Sequence, residues 1–285
     1  MCYTPHLLFC TKMLVRGILP PMIVDGKAIA QELYREIANQ VTHLDVRPHL
    51  TVFTCAPNFE TQKYLALKMR KAKQVGIGIN VIEFPVDIKT EEVIQSIAHA
   101  CMQTDGVIVQ LPFPEHIDTD TVLQSIPRQY DVDVVNYDGS DNRILPPVVG
   151  AIKVIADRYD VLFAAQTVTV VGHGRLVGKP AALWAQRQGA QVTVVTKSEG
   201  DLIAAVKDAH ILILGAGQAG LVTRDMVSDN VVIFDAGTSE DSGELKGDAH
   251  PDCTQKASLF TPVPGGIGPI TVAVLLRNLV QLVGR

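Results

Sequence analysis

Past residue 21 the chain alternates between two hydrophobic periods. From Ala28 to about Val41 apolar residues recur at helical spacing, and Leu50 to Cys55 is an apolar run too short for anything but a buried strand. The same reading predicts a helix from about Glu60 to Gln74, a strand from Ile77 to Phe84, a helix opened by Thr90-Glu91-Glu92 and a strand from Gly106 to Gln110. Strands buried on both faces read as continuous Val/Ile/Leu runs, and crossovers through helices impose parallel pairing, so a parallel α/β sheet is expected. A second series starts at Thr167, with strands at Val168–Val171, Val192–Val195, Ile211–Leu214 and Val231–Phe234, helices between them, and an apolar helix from Thr271 to Leu282. Between the two lies a stretch rich in Asp, Asn, Gly and Pro, Tyr130 to Gly150, which reads as a junction. The expected fold class is therefore α/β in two lobes with a cleft between them. Residues 1–21 form an unpatterned arm, 22–148 a first domain joined by the final helix at 271–285, and 149–270 a second domain.

Composition narrows the function classes. In 285 residues, 47 % are hydrophobic and 19 % charged, which suits well-filled cores and excludes a disordered chain. With 25 basic against 30 acidic side chains, a net charge of −5 and no long run of one sign, nucleic acid is not an expected partner. No apolar stretch approaches the ~20 residues that cross a bilayer, so no membrane partner is expected. The five cysteines show no disulfide framework or zinc spacing, and His173, His210 and His250 are scattered, so no metal site is expected and the reducing cytoplasm is the expected location.

The strongest local signal runs from Thr167 through Gly172-His173-Gly174-Arg175 to Gly178-Lys179-Pro180, then into a helix from Ala181 to Gln188. A strand feeding a glycine turn at a helix start leaves backbone N–H groups and the positive helix end open to a pyrophosphate, because no Cβ blocks the approach. The second lobe therefore reads as a Rossmann-type dinucleotide-binding unit. At the end of the next strand, Thr196-Lys197-Ser198 offers donors and no carboxylate, which suits the 2′-phosphate of NADP; Glu199 close by keeps NAD open.

In the first lobe, Tyr64 and Lys68 share a helix face. Arg70, Lys71 and Lys73 nearby are expected to push the Lys68 pKa down, as a lysine acting as base requires; a solvated basic face is the plainer reading. Tyr-x-x-x-Lys also marks short-chain dehydrogenases, but there it follows the glycine turn, whereas here it precedes it. Gln110 closes a parallel strand where such folds bind ligands. Asp131 and Asp133 open the junction and are expected to offer carboxylates to the cleft. Thr261 to Thr271 holds three prolines and three glycines, which predicts a rigid, close-approach loop, with Thr271 capping the last helix.

The combination resembles the methylenetetrahydrofolate dehydrogenase/methenyltetrahydrofolate cyclohydrolase family from Met22 to about Leu282. The most specific pieces are Tyr64-x-x-x-Lys68, Asp105 to Pro112, Asp131-Val-Asp133, Val177-Gly-Lys-Pro180 and Thr261-Pro-Val-Pro-Gly-Gly-Ile-Gly-Pro269. The resemblance implies that Lys68 is the catalytic lysine, Tyr64 stacks on and orients the folate, Gln110 tunes the lysine and Asp133 binds the pterin. It also implies that Pro264, Gly265 and Gly266 line the folate cleft, that tetrahydrofolate derivatives are the substrates, and that the chain forms a homodimer. The family passes a hydride from methylenetetrahydrofolate to a nicotinamide and hydrolyses the methenyl product to formyltetrahydrofolate.

Four departures bear on that transfer. His173-Gly174 stands where the family has Arg-Ser, Val134 where it has Gly, and Leu145-Pro146-Pro147-Val148 where it has Pro-Cys-Thr-Pro. Asp235-Ala236-Gly237-Thr238 stands where it has Asp-Val-Gly-Ile, near the nicotinamide. They cluster at the cofactor and hinge, so hydrolysis is expected to survive ahead of oxidation. The alternatives are a cyclohydrolase without useful dehydrogenase activity and a non-catalytic dinucleotide- or folate-binding paralogue.

Overall fold

The computed structural model describes residues 21–140, 143–196, 201–241 and 244–284, so the arm at 1–20 lies outside the described residues. The first half runs β1 (Met22–Ile23), α1 (Gly26–Thr42), β2 (His49–Cys55), α2 (Phe59–Gln74), β3 (Gly78–Phe84), α3 (Thr90–Ala100), β4 (Gly106–Val109) and α4 (Thr119–Gln124). The second runs α5 (Pro147–Arg158), β5 (Thr167–Val171), α6 (Gly178–Arg187), β6 (Gln191–Val195), α7 (Leu202–Lys207), β7 (Ile211–Leu214), β8 (Val231–Asp235), β9 (Ser239–Asp241), β10 (Glu244–Lys246), β11 (Ala257–Phe260) and α8 (Ile267–Val283). The short α4, the β9–β10 hairpin, β1 and β11 carry too little periodic sequence to be predicted.

Two parallel sheets result, which makes this a two-domain α/β fold with a Rossmann-like second sheet. One sheet is ordered β3-β2-β4 and the other β1-β11-β8-β7-β5-β6. In each, strand order reverses once, at β2/β4 and at β5/β7. Open parallel sheets bind ligands at the carboxyl ends of the strands where the order reverses, because the crossover loops diverge there and leave a crevice. Gln110 follows β4 and Gly172 follows β5, so both crevices carry residues singled out by the sequence.

The small sheet is covered on both faces. Leu50 and Val52 of β2 enter the main core with α1, α5 and α8, while Phe53 and Cys55 point the opposite way. There Phe53 stacks on Phe84 at 5.5 Å between ring centroids. Alternation along one strand thus divides two cores, as a pleated backbone requires.

Three expectations about boundaries are corrected. β1, assigned by chain order to the first domain, pairs in parallel with β11 and so belongs to the second sheet. Its continuation is tied down twice, by Val24 N–H on the Phe260 carbonyl and Gly26 N–H on the Gly265 carbonyl, both at 2.9 Å. A Cβ on Gly26 would stand 1.8 Å from the Gly266 oxygen, so only glycine allows this approach. The junction ends before Pro147, which opens α5. The last helix starts at Ile267, inside the proline-rich motif, because a proline in the first helical turn lacks only an N–H that would have no helical partner. Thr271 is therefore not a cap: its hydroxyl donates back to the Ile267 carbonyl at 3.1 Å within the helix.

α8 is buried along most of its length and carries one polar residue fully inside, Asn278. Its Nδ2 donates to the carbonyls of Val132 at 2.9 Å and Leu145 at 2.8 Å, fixing both ends of the junction to one helix. Among the described residues no helix is long and apolar enough to cross a membrane. Replacing Asn278 by Ala strands two buried carbonyls, and a loss of about 2 kcal/mol or more is expected. Urea unfolding measures it; an unchanged midpoint would contradict this role.

Candidate active site

The cleft between the two sheets has a volume of about 880 Å³ and is lined from both sides. α2 is capped at its start by Asn58, whose Oδ1 accepts the Thr61 N–H at 2.9 Å. This cap sets the helix phase that turns Tyr64 and Lys68 toward the cleft. Lys68 is only 9 % exposed, and its Nζ donates to Gln110 Oε1 at 2.8 Å. Gln110 Nε2 donates to the Leu111 carbonyl at 3.2 Å, which leaves its oxygen facing the lysine. The Gln110 N–H bonds the Phe53 carbonyl at 2.8 Å, so the amide stands rigidly on the β2–β4 ladder.

The Lys68 pKa is lowered, and the cause is burial, opposed by attraction from Asp133. This corrects the expectation from neighbouring like charges. Lys71 instead reaches Gln74 at 3.0 Å and sits 4.6 Å from the Tyr34 ring centroid, so it is spent elsewhere on the helix surface. Asp133 is pushed the other way, upward, by burial, with Lys68 opposing. Removing the two groups from water disfavours both charges at once.

Tyr64 lies one helical turn before Lys68 at the mouth, 37 % exposed. Its hydroxyl oxygen is 3.7 Å from where a Cβ on Gly268 would stand. Pro264 and Gly265 line the cleft, whereas Gly266 is buried behind them as the residue before α8. Of the two junction carboxylates only Asp133 lines the cleft; Asp131 is buried, 5 % exposed, which corrects the expectation that both are offered.

On the opposite wall, β5 runs into Gly172 at φ +96°, and a Cβ on Gly178 would stand 2.0 Å from the Gly172 oxygen, so turn and helix start are in backbone contact. Nothing lies within 4 Å of where a Cβ on Gly174 would be. That exposed turn at the start of α6 is open to a phosphate. His173 and Gly174 are solvent-exposed and stand outside the cleft lining. Arg175 lines the cleft, but its guanidinium is paired with Asp120 of α4, a contact between the two halves of the chain. Thr196 is half-buried, and Lys197 and Ser198 fall outside the described residues. Thr238 lines the cleft.

Sequence reasoning missed the role of Asp235 here. It ends β8 at the cleft, and its carboxylate accepts N–H groups from Gly237 at 3.0 Å, Asp248 at 3.2 Å and Ala249 at 2.8 Å. Asp248 in turn accepts from Ala216, Gly217 and Gln218. An acid at the carboxyl end of a parallel strand was the available signal. Burial raises the Asp235 pKa to about 7, with Asp248 adding to it. Between the unfolded value near 4 and about 7, the native state holds a proton that the unfolded chain has lost, so stability falls as pH rises through that window. Comparing the stability of wild type and Asp235→Asn between pH 4 and 7 should show wild type losing ground with a slope of at most about 1.4 kcal/mol per pH unit. A flat difference would mean that Asp235 titrates normally.

Comparison with known proteins agrees over most of the chain. The model described as tetrahydrofolate dehydrogenase/cyclohydrolase, catalytic domain, matches residues 24–133, and that of the NAD(P)-binding domain matches residues 146–285. The bifunctional protein FolD of Lactobacillus acidophilus is 34 % identical over 275 residues, covering 92 % of this chain and 97 % of that protein. FolD of Moorella thermoacetica is 34 % identical over 281 residues, covering 94 % and 100 %. Among solved structures, the FolD methylenetetrahydrofolate dehydrogenase/cyclohydrolase of Campylobacter jejuni matches with a TM-score of 0.87 at 28 % identity, covering 92 % of this chain and 98 % of that one. The Trypanosoma brucei enzyme, complexed with NADP and an inhibitor, matches with a TM-score of 0.86 at 27 % identity, covering 93 % and 98 %.

Proposed function

Because this chain belongs to the tetrahydrofolate dehydrogenase/cyclohydrolase family, we propose that it oxidises 5,10-methylenetetrahydrofolate with NADP and hydrolyses the methenyl product to 10-formyltetrahydrofolate. Its bifunctional relatives cover most of the chain and support both halves of the reaction. The observation that carries the reading is the Lys68 amine, buried in the cleft and held on Gln110 at 2.8 Å. The methenyl intermediate is a delocalised cation, so the group that takes a proton from the attacking water must not add a second full charge beside it. A lysine whose pKa burial has lowered meets both needs. Gln110 supplies an acceptor that orients the amine without a countercharge. Asp133 offers a carboxyl to a pterin at the same depth, and Tyr64 at the mouth gives a ring to stack on it.

The residues present fit a dinucleotide: the Gly172–Gly178 turn leaves the start of α6 clear, and Thr238 and Gly237 face the cleft at the end of β8. Bound NADP supplies the hydride acceptor. The two lobes contribute alignment, which suffices for hydride transfer once donor carbon and acceptor are held together. NADP over NAD draws support from the Trypanosoma brucei complex and from Thr196, Lys197 and Ser198 in sequence. Homodimeric assembly is carried over from the family resemblance.

A cyclohydrolase with impaired oxidation is the second reading. It is favoured by the uncharged Gly174 in the phosphate turn and by the engagement of Arg175 with Asp120.

Spectrophotometry of the purified chain separates the readings. Loss of methenyl absorbance together with NADPH production supports the bifunctional enzyme; loss of methenyl without NADPH supports the second reading, and silence in both refutes both. Lys68→Met should lower both activities by ~100-fold or more while leaving the NADP Kd unchanged, and retained activity removes Lys68 from its role. Hydrolysis should rise with pH and level off earlier than for an ordinary lysine, since the active form is the neutral one and its pKa is lowered. A preference for NAD above tenfold, about 1.4 kcal/mol, would overturn the cofactor assignment.

A further inference from the structure

Val134 sits beside Asp133 on the cleft wall with φ at +51°, in the left-handed region. For a β-branched residue this backbone is strongly disfavoured, since Cβ crowds the following carbonyl. Such a conformation persists only when its surroundings hold it there.

The surroundings are one carboxylate and its anchors. Asp131 Oδ2 accepts the Val135 N–H at 2.9 Å, while its buried Oδ1 has no hydrogen-bond partner among the described residues. Asp131 is itself placed by a parallel bridge to Val107, beside the bond from Val107 N–H to the Tyr130 carbonyl at 2.7 Å. Asn278 grips Val132 from one side, and Asn136 Nδ2 donates to the Leu123 carbonyl at 3.0 Å on the other. Asp133 and Val134 lie between these fixed points. Asp131 does not line the cleft, and the charge that acts on Lys68 is that of Asp133.

We infer that Asp131 is a positioning residue: its carboxylate holds the left-handed turn at Val134 and so aims Asp133 into the cleft toward Lys68. The inference rests on the proposed folate chemistry for its functional half only. The turn itself is a property of the fold. An amide at position 131 keeps the shape and one acceptor for the Val135 N–H but puts two donors at the buried position of Oδ1, which has no hydrogen-bond partner among the described residues. A glycine at position 134 adopts φ +51° without a Cβ clash and no longer needs to be held.

The test is a double-mutant cycle of Asp131→Asn and Val134→Gly, read by hydrolysis of 5,10-methenyltetrahydrofolate and by thermal unfolding. Asp131→Asn alone should lower kcat/KM tenfold or more, mainly through a raised KM. The same substitution in the Val134→Gly background should cost threefold or less. Equal losses in both backgrounds would overturn the inference, as would a coupled loss of Tm with KM and kcat unchanged. If Asp131→Asn does not fold, recovery of folding in the double variant supports the inference and failure of both overturns it. A wild-type chain inactive on the folate sinks the functional reading alone. The melting shifts then judge the turn: a smaller shift in the Val134→Gly background upholds it, and equal shifts overturn it.

Discussion

A primary amine withdrawn from water and hydrogen-bonded to an amide oxygen is the constraint around which this protein is arranged. An isolated buried ammonium is costly, and among the described residues Lys68 has no carboxylate within ion-pair distance, only the weaker attraction of Asp133. It surrounds the amine instead with the β2–β4 ladder, the Gln110 amide and a carboxyl whose own charge is disfavoured by the same burial. The result is a pair of groups whose ionisation is open to change by a ligand. A cationic ligand beside them would alter the balance of both, which is how a site can be selective for charge without carrying a permanent one.

Holding such a pair at fixed separation demands rigidity from elements far apart in sequence. Lys68 stands on α2, Gln110 on the end of β4 and Asp133 on the junction. α8, from the far end of the chain, ties the junction in place through Asn278. α8 also shares one hydrophobic core with α1, α5 and the strands of both sheets. The two lobes are thus joined by packing as well as by the covalent crossing, and the cleft between them has a firm floor. At the rim, the Arg175–Asp120 pair is exposed and contributes little to that stability.

The dinucleotide wall is built by a different economy. Its polar anchors, Asp235 and Asp248, spend their oxygens on backbone N–H groups of the Ala216–Gln218 and Gly237–Ala249 turns rather than on side chains. Carboxylates used this way shape loops through the backbone, whatever side chains those loops carry.

The chain order of residues already determined much. Strand and helix periods are local properties of the backbone, so the two α/β series, the glycine turn after Val171 and the Tyr64–Lys68 face were legible without coordinates. The position of Gln110 at a strand end was legible for the same reason. What tertiary structure decided is everything that depends on burial or on contacts between remote segments. It moved β1 into the second sheet, separated Asp131 from Asp133 and gave Asn278 its two carbonyls. It also replaced like-charge repulsion by desolvation as the cause of the Lys68 shift. Periodicity reports which side of an element is apolar; how much water remains at one atom is a sum over neighbours hundreds of residues apart along the chain, and no local window contains it.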